Sequence, residues 1–495
     1  ATINGDTGTL DFNDASFINT ATFTPGTGTV IASGSVGSAL AGTTYNNLRI
    51  GKTGGASVIF AASPTVGGTF VTTGANQVNL ASNNLTVTGA TTIGTGTSVT
   101  SSGNLFFGST LETTGSVSST EGQVRVTGLT TIYTPGGIGT NTGLLTFAGV
   151  TSTGNIYVTA GLATTTGAVM NSGGALFHIG SGQATSTSNF FQAGGTLNMG
   201  SGFMEFQGDY TNLSASTFTP GTTSLVTFAG TTAASSSAAG FAKLNVTKTS
   251  SAALMLNGAI TVSGIFNTSG ANQVNLASNN LTVTGATTIG TGTSVTSSGN
   301  LFFGSTLETT GSVSSTEGQV RVTGLTTIYT PGGIGTNTGL LTFAGVTSTG
   351  NIYVTAGLAT TTGAVMNSGG ALFHIGSGQA TSTSNFFQAG GTLNMGSGFM
   401  EFQGDYTNLS ASTFTPGTTS LVTFAGTTAA SSSAAGFAKL NVTKTSSAAL
   451  MLNGAITVSG IFNTSGANQV NLTSNNLTVT GATTIAGSTS VTSTT

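Results

Sequence analysis

The segment Gly103-Asn-Leu-Phe-Phe-Gly108 is a short apolar cluster enclosed by glycines, and clusters of the same kind recur along the chain. The clusters that follow it occupy residues 122–128, 143–149, 173–180 and 194–200. Their centres are roughly 20 residues apart, which lies within the range of coil lengths in solenoid proteins. This spacing indicates a fold that is built by stacking similar coils.

Shorter segments between these clusters alternate apolar and polar residues. Examples are Asn84-Leu-Thr-Val-Thr88, Asn155-Ile-Tyr-Val-Thr159 and Lys243-Leu-Asn-Val-Thr247. Alternation with a period of two is typical of a β-strand with one buried face. Glycine, asparagine and Ser-Gly pairs separate the segments, and these residues favour turns because they tolerate positive φ or bond to the nearby backbone.

Helical signals are missing from the sequence. No segment combines a sustained helical period with capping residues at its ends. The Ala/Ser-rich runs 231–239 and 427–435 are predicted to form loops or tightly packed corners. The sequence therefore predicts an all-β chain with essentially no helix, folded as a parallel β-solenoid (β-helix) with coils of roughly 20 residues.

A longer repeat is superimposed on these coils. Residues 75–270 recur without change as residues 271–466, which is a period of 196 residues. Residues 467–495 begin a third copy, and residues 1–74 are a diverged part of the same unit. We expect these four segments to form one continuous rod, because nothing in the sequence marks a linker between them.

The composition excludes several classes of protein. Hydrophobic residues make up 37% of the chain and there are only 6 prolines, unlike a disordered chain. The net charge of −3 comes with no basic cluster, which argues against nucleic-acid partners and anionic membrane surfaces. No apolar run approaches the ~18 residues of a membrane-spanning helix. Cysteine is absent, which excludes disulfides and thiolate metal sites.

Charged residues make up only 4% of the chain, against about 25% in ordinary soluble domains. Stacked coils give this scarcity a physical reason. Identical side chains lie about 4.8 Å apart along the axis of a solenoid, where like charges repel while threonine, serine and asparagine stack without penalty.

The segments Tyr45-Asn-Asn-Leu-Arg-Ile-Gly-Lys-Thr-Gly-Gly55 and Asn83-Asn-Leu-Thr-Val-Thr-Gly89 resemble repeats of very large bacterial surface and secreted proteins. Leu244-Asn-Val-Thr-Lys248 and Leu256-Asn-Gly-Ala-Ile-Thr-Val-Ser-Gly264 fit the same pattern. More broadly, the chain is similar to the β-helix of filamentous-haemagglutinin-type adhesins. The resemblance implies an extracellular stalk, adhesin or fibre, and it carries over no catalytic residues.

One lysine and the two histidines each suggest a functional site, but the neighbouring sequence does not support one. Gly51-Lys52-Thr53 resembles the end of a phosphate-binding loop, but Asn46 occupies the position of the required first glycine. Lys52 is therefore predicted to be a turn lysine. His178 and His374 stand alone in apolar strands, whereas a zinc site needs three or four ligands.

Pairs of carboxylates are the feature most relevant to a β-helix enzyme that cleaves polysaccharides. Such an enzyme needs two carboxyl groups about 5 to 9.5 Å apart. Glu112 with Glu121 and Glu205 with Asp209 are the candidates, but each pair is separated by much less than one coil. Arg125 is predicted to form a surface ion pair with Glu121. The same residues recur in the second copy as Glu308, Glu317, Glu401 and Asp405.

Calcium binding and ice binding are weaker interpretations. Asp6, Asp11 and Asp14 form a small acidic cluster, but the Asp of calcium-binding solenoid turns is missing elsewhere. Threonine arrays such as Thr86-Val-Thr88 and Thr91-Thr92 resemble the ladders of ice-binding solenoids. Threonine is also common on any solvated strand, and these arrays do not fall at one fixed coil position.

The sequence as a whole predicts an extracellular or cell-surface structural protein that is not an enzyme and needs no cofactor. We expect its partner to be itself, stacked head to tail as a filament subunit or as a segment of a giant chain. Neither residues 1–14 nor residues 484–495 resemble a polar cap, and uncapped solenoid ends expose strand edges. The alternative is an adhesin stalk that binds glycans or other cells; a polysaccharide-active enzyme and an ice-binding protein are less favoured. No catalytic, cofactor-binding or metal-binding residue is assigned.

Overall fold

The computed structural model describes most of the chain. The described residues are 2–17, 22–74, 77–140, 144–152, 155–158, 162–165, 169–171, 176–213, 216–250, 252–270, 273–329, 332–336, 340–348, 351–354, 358–361, 365–367, 372–409, 412–445, 448–466 and 469–493. Every regular element within these ranges is a β-strand, and the paired strands are parallel, so the predicted β-solenoid is confirmed. The chain divides into two compact units, Ala1–Lys243 and Leu244–Thr495.

Each coil of the first unit contributes one strand to each of three axial columns. The first column contains Thr9–Asn13, Thr29–Gly34, Asn47–Lys52, Phe70–Thr72, Thr91–Ile93, Leu111–Thr113, Val169–Asn171, Phe190–Gln192 and Tyr210–Asn212. The second contains Ser38–Leu40, Ser57–Phe60, Gln77–Asn79, Ser98–Ser101, Ser116–Ser119, Gly137–Thr140, Asn155–Val158, Leu176–His178, Thr196–Asn198 and Thr217–Thr219. The third contains Thr44–Tyr45, Thr65–Val66, Leu85–Val87, Leu105–Phe107, Leu162–Thr165, Gln183–Ser186, Phe203–Phe206 and Leu225–Phe228.

Two long strands of this unit belong to two columns. Val124–Ile132 pairs with the third column through residues 124–126 and with the first through residues 130–132. Leu144–Ser152 follows it in the same way. The other strands of the unit are Thr2–Asn4, Thr22–Thr24, Ala234–Ser236 and Gly240–Phe241, and Lys243–Val246 crosses the boundary between the units.

The second unit repeats this three-column arrangement. Its first column contains Phe266–Thr268, Thr287–Ile289, Leu307–Thr309, Val365–Asn367, Phe386–Gln388 and Tyr406–Asn408. Its second contains Ala253–Leu256, Gln273–Asn275, Ser294–Ser297, Ser312–Ser315, Gly333–Thr336, Asn351–Val354, Leu372–His374, Thr392–Asn394 and Thr413–Thr415. Its third contains Ile260–Val262, Leu281–Val283, Leu301–Phe303, Leu358–Thr361, Gln379–Ser382, Phe399–Phe402, Leu421–Phe424, Lys439–Val442, Phe462–Thr464 and Thr483–Ile485. Val320–Ile328 and Leu340–Ser348 each belong to two columns. The remaining strands form two short sheets. One sheet contains Ala430–Ser432, Ala449–Leu452, Gln469–Asn471 and Ser490–Thr492, and the other contains Gly436–Phe437, Ile456–Val458 and Leu477–Val479.

The coil length varies around the predicted value. Among the described pairs of the first unit, residues in register on successive coils are separated by between 18 positions, as for Ser98 and Ser116, and 23 positions, as for Phe17 and Leu40. Turns of different length absorb this variation while the strands stay in register. The columns therefore stay aligned although the sequence period is irregular.

Apolar side chains that point inward stack along each column. In the second column the inward position is taken successively by Val58, Val78, Val99, Val117 and Ile138, all of which are buried. Because each coil buries the apolar residue of the coil beneath it, the core is a continuous axial ladder. Burial of this kind is the main favourable contribution to folding.

Aromatic rings replace these aliphatic residues in one part of each repeat. In the first unit Phe206 stacks on Tyr210 with ring centroids 4.5 Å apart, and on Phe228 at 5.4 Å. In the second unit Phe402 stacks on Tyr406 at 4.4 Å. Such pairs contribute about 0.5–1.5 kcal/mol beyond their buried area.

Glycines also stack at one corner of the coil. Gly180, Gly200 and Gly221 all have positive φ, and a Cβ on Gly221 would overlap the carbonyl oxygen of Gly200. Gly200 is placed in the same way over Gly180. This corner needs glycine both for its left-handed backbone and for the close approach of successive coils.

The 196-residue repeat does not contain a whole number of coils. In the second unit, Phe266–Thr268 lies in the first column, whereas the identical residues Phe462–Thr464 lie in the third. The chain covers two thirds of a coil between Phe266–Thr268 in the first column and Leu281–Val283 in the third. From Leu281–Val283 it covers nine further coils, counted by register along the third column, before it reaches Phe462–Thr464. The repeat therefore spans nine and two-thirds coils, and the same sequence folds correctly in two different columns.

The Ala/Ser-rich runs differ in part from the prediction. Each contains a short strand, Ala234–Ser236 and Ala430–Ser432, between turn residues. Ala234 and Ala238 are buried. The small side chains allow these residues to enter the core as a strand where a loop or corner was expected.

Candidate functional site

The outward positions of the third column contain the most distinctive surface of the first unit. In register along this column lie Thr86, Phe106 and Arg125, and the register continues through the backbone of residues 146 and 164 to Thr185 and Glu205. We call this series the outward ladder. It brings together an aromatic ring and charges of both signs in a chain that is 4% charged.

A shallow cleft lies at the aromatic end of the outward ladder. Its volume is about 310 Å³, and it is lined by Thr86, Phe106, Phe107, Gly108, Arg125 and Thr127. Phe106 is half-buried and Arg125 is exposed. A cleft of about 280 Å³ recurs in the second unit and is lined by Thr282, Val283, Thr284, Phe302, Phe303, Gly304, Arg321 and Thr323. We call each of these an aromatic groove.

The predicted ion pair between Arg125 and Glu121 is wrong. No carboxylate of the described residues lies within 4.0 Å of the Arg125 guanidinium. Glu121 lies in the turn before the strand, whereas Arg125 projects outward from the strand between the positions of Phe106 and Thr146. Register along the axis, and not proximity in sequence, decides the neighbours of Arg125.

The carboxylates of the proposed catalytic pairs occupy separate positions. Glu112 is exposed on the first column, in register with Thr92 and Thr131, while Glu121 lies in a turn. Glu205 lies half-buried on the third column and accepts a hydrogen bond of 2.7 Å from Gln207 Nε2.

Asp209 has a different environment from Glu205. One of its carboxylate oxygens accepts a hydrogen bond of 3.1 Å from the backbone N–H of Ser235 on the next coil. This bond fixes a long turn between the two coils. Asp209 immediately precedes the first-column strand Tyr210–Asn212, whereas Glu205 belongs to the third-column strand Phe203–Phe206.

Lys52 is not the turn lysine that the sequence predicted. It ends the strand Asn47–Lys52 with its side chain fully buried. Its Nζ donates a hydrogen bond of 2.5 Å to the carbonyl oxygen of Ser33 and lies 3.7 Å from Asp14 Oδ1. The ammonium therefore satisfies the backbone of the neighbouring coil, which explains why the apolar stem can be buried.

Lys444 is a sequence equivalent of Lys52 in the second unit, where it follows the third-column strand Lys439–Val442. Its buried Nζ donates to the carbonyl oxygens of Ala425 at 2.8 Å and Thr428 at 2.7 Å, which lie at the two ends of a turn. Burial of the ammonium lowers the pKa of Lys444, and the charge of Asp405 opposes part of that shift. Lys444 therefore links the two ends of this turn from its buried side.

The histidines and the N-terminal aspartates do not assemble a metal site. His178 is in register with Tyr157 and Asn198 in the second column. Asp11 accepts a hydrogen bond from Ser33 Oγ at 2.6 Å, and Asp14 accepts one from the Val36 backbone at 2.6 Å. Across the described residues, no group of three or more His, Cys, Asp or Glu side chains could hold a metal ion.

The threonine arrays do not form one flat face. Thr91 is buried and Thr92 is exposed, because adjacent strand residues point to opposite sides. Thr86 lies on the outward ladder, where Phe106 and Arg125 follow it directly. The threonine series on this face is therefore interrupted after Thr86.

Comparison with known proteins does not place the chain in a family. No family model matches it, and neither curated proteins nor solved structures give a significant match. Within the described residues there is also no helix with the length and hydropathy to cross a membrane. The resemblance to bacterial surface repeats therefore stays a sequence-based expectation.

Sequence reasoning missed the outward ladder. Phe106 and Arg125 are 19 positions apart, so the coil period alone could have suggested their contact. The position of Glu205 on the same ladder could not have been found in this way, because each step between Arg125 and Glu205 varies in length.

Proposed function

We propose that this chain is an extracellular structural protein whose coils stack end to end, as a subunit of a filament or as a segment of a giant fibre. The proposal rests on the physical character of the coils. Their strands form continuous parallel ladders, their inward residues stack axially, and their outward residues are almost all neutral. Such a body resists bending and local opening, because every coil is bonded to the coils above and below it.

One observation carries the end-to-end part of the proposal. The identical strands Phe266–Thr268 and Phe462–Thr464 lie in two different columns of the second unit, and Phe266 and Phe462 are buried in both places. The same sequence therefore stacks in more than one rotational position around the axis. Repeated end-to-end addition of a unit that spans nine and two-thirds coils requires this property.

Electron microscopy of the native material, combined with the mass of the denatured chain, tests this function. Filaments that dissolve to a species of 48.3 kDa would indicate discrete stacked subunits. Filaments whose denatured chains are much larger would indicate a giant covalent fibre. Isolated short particles that do not associate at their ends would contradict the proposal.

An adhesive function is the alternative, and the aromatic groove is the observation that favours it. Each groove is lined by a half-buried phenylalanine, an arginine and threonines, a combination that suits a polar ligand with apolar faces, such as a glycan. Glycan-array binding that is lost in Phe106→Ala/Phe302→Ala supports adhesion. Leu129→Ala/Leu325→Ala is the matched control, because these exposed leucines lie outside both grooves.

A further inference from the structure

We propose that the outward ladder is a lateral contact surface for a second copy of this chain. The two copies lie side by side and antiparallel, with Arg125 of each copy opposite Glu205 of the other. This inference goes beyond the proposed function, because a lateral contact does not depend on whether coils also stack end to end.

The positions of the two charges fit a two-fold contact. Four register steps along the third column separate Arg125 from Glu205, which corresponds to about 19 Å at the spacing of parallel strands. The midpoint of this interval is the coil of residue 164. An antiparallel partner centred on that coil meets both charges at once, which is the self-complementary arrangement of a symmetric dimer.

In the described part of the first unit, both charges lack an ionic partner. Neither Arg125 nor Glu205 has an opposite charge within 4.0 Å among the described residues. Among the described residues, the hydrogen-bond partner of the Glu205 carboxylate is the neutral amide of Gln207. Two such groups on one ladder are conspicuous in a chain with 8 basic and 11 acidic residues, and complementary charges fix the register of a contact.

Apolar side chains accompany the charges on the same face. Phe106 adjoins Arg125, and Phe203 belongs to the same strand as Glu205 and is in register with Leu225. All three side chains are half-buried and point outward. They supply contact area around the ion pairs, which alone would contribute little at an exposed surface.

The second unit carries the same ladder. Phe302 and Arg321 are in register, and Glu401 lies on the same column in a strand that begins at Phe399. Arg321 is exposed and Glu401 is half-buried. The chain therefore contains two copies of the proposed surface, which a test must change together.

The size of the surface sets the expected strength of the contact. A strand face about 10–13 Å wide and about 38 Å long covers roughly 400–500 Å² on each partner. The total of roughly 900 Å² is close to the lower limit for a specific interface. The contact should therefore be weak, concentration-dependent and sensitive to salt, because its ion pairs are exposed.

Sedimentation velocity of the full chain and of charge-reversed variants tests the proposal. At about 0.02 M salt the chain should form dimers and, because each chain carries two copies of the surface, larger side-by-side oligomers; both should dissociate at about 0.5 M. Arg125→Glu/Arg321→Glu should abolish the dimer, as should Glu205→Arg/Glu401→Arg. Combining all four changes should restore it, because the charges are then exchanged and remain complementary. Glu112→Arg/Glu308→Arg is the matched control and should dimerise normally, because Glu112 is exposed on the first column.

Circular dichroism of each variant verifies that the β-fold is retained, and Arg125→Gln/Arg321→Gln provides a milder second variant. Absence of a salt-sensitive dimer in the unchanged chain would overturn the proposal. Dimers that persist unchanged in either reversed pair would overturn it as well. If end-to-end filaments form in the same samples, the two kinds of association can still be told apart, because axial stacking lengthens the particle and lateral pairing widens it.

Discussion

At the scale of single residues, several of the largest buried polar side chains form hydrogen bonds within or between neighbouring coils. Lys52 and Lys444 donate to carbonyl oxygens about one coil away. The Tyr210 hydroxyl donates to Gln192 Oε1 at 2.8 Å, and Gln192 Nε2 donates to backbone carbonyls of its own turn and of the next coil. An unsatisfied buried group would cost about 1–3 kcal/mol, so these bonds explain how the core accommodates these lysine, tyrosine and glutamine side chains.

Lys444 should make stability depend on pH in the alkaline range. Its pKa in the folded chain is lower than the ordinary value of 10.5 because the ammonium is buried. Between the two pKa values the unfolded chain binds more protons, so the free energy of unfolding should rise with pH in this window. Below the folded pKa both states are protonated, and the cost of burying the charge is constant.

Denaturant unfolding between about pH 7 and pH 10.5 measures this effect. The difference between the unchanged chain and Lys444→Met isolates the contribution of Lys444 from that of the other lysines. A difference that is flat with pH, or that falls as pH rises, would contradict the assignment.

Two tyrosines should stay protonated in alkaline solution. Burial raises the pKa of Tyr210 and of Tyr406 far above the ordinary value of 10.0. Tyr210→Phe/Tyr406→Phe should therefore have the same tyrosinate absorbance as the unchanged chain up to about pH 11, while both remain folded. Loss of two tyrosine equivalents from the titration in this range would show that these hydroxyls are accessible.

At the scale of strands and coils, the sequence predicts the fold better than it predicts which side chains are neighbours along a column. Alternating segments such as Asn84-Leu-Thr-Val-Thr88 and the interval of roughly 20 residues predict a parallel solenoid, because period two and stacking are local properties. The neighbours of Arg125 and the burial of Lys52 could not be predicted. Both depend on turn lengths, which vary the register step from 18 to 23 positions among the described pairs of the first unit.

Like charges placed on successive coils should destabilise the stack. Thr86→Lys/Phe106→Lys would place two cations in line with Arg125 on the outward ladder, which makes three in succession. At a spacing of about 4.8 Å these cations repel one another. We expect a lower unfolding temperature at low salt than for the unchanged chain, with partial recovery at high salt as the repulsion is screened.

The matched control for this prediction is Thr86→Lys/Phe106→Glu. It introduces the same number of charges and removes the same phenylalanine, but it alternates their signs along the ladder. It should unfold at a higher temperature than the three-cation variant at low salt. Equal unfolding temperatures would mean that axial repulsion does not explain the scarcity of charge.

At the scale of the whole molecule, the repeat is a unit of sequence and not of geometry. It spans nine and two-thirds coils, so Phe266–Thr268 and the identical Phe462–Thr464 occupy different columns of the second unit. A sequence that folds in two columns must take its structure from the coil beneath it and not from a fixed side of the solenoid. This is the behaviour expected of nearest-neighbour stacking.

Deletion of residues 75–270 should therefore give a shorter chain with the same fold. The deletion joins Gly74 to Ala271, and the residues that follow are identical to those that followed Gly74 before. Circular dichroism per residue and hydrogen exchange of the remaining strands should be unchanged. Deletion of residues 75–260 is the control, because it cuts the strand Ile260–Val262 and joins Gly74 to a residue that does not follow it in the repeat. This deletion should disturb the coils at the junction.

The central claim is that parallel coils stack along the axis of a filament. X-ray diffraction from aligned filaments of the native material tests it most directly. We predict a strong reflection at about 4.8 Å along the filament axis, because the strands lie across that axis. A reflection of that spacing perpendicular to the axis, or particles that form no filaments, would contradict the account.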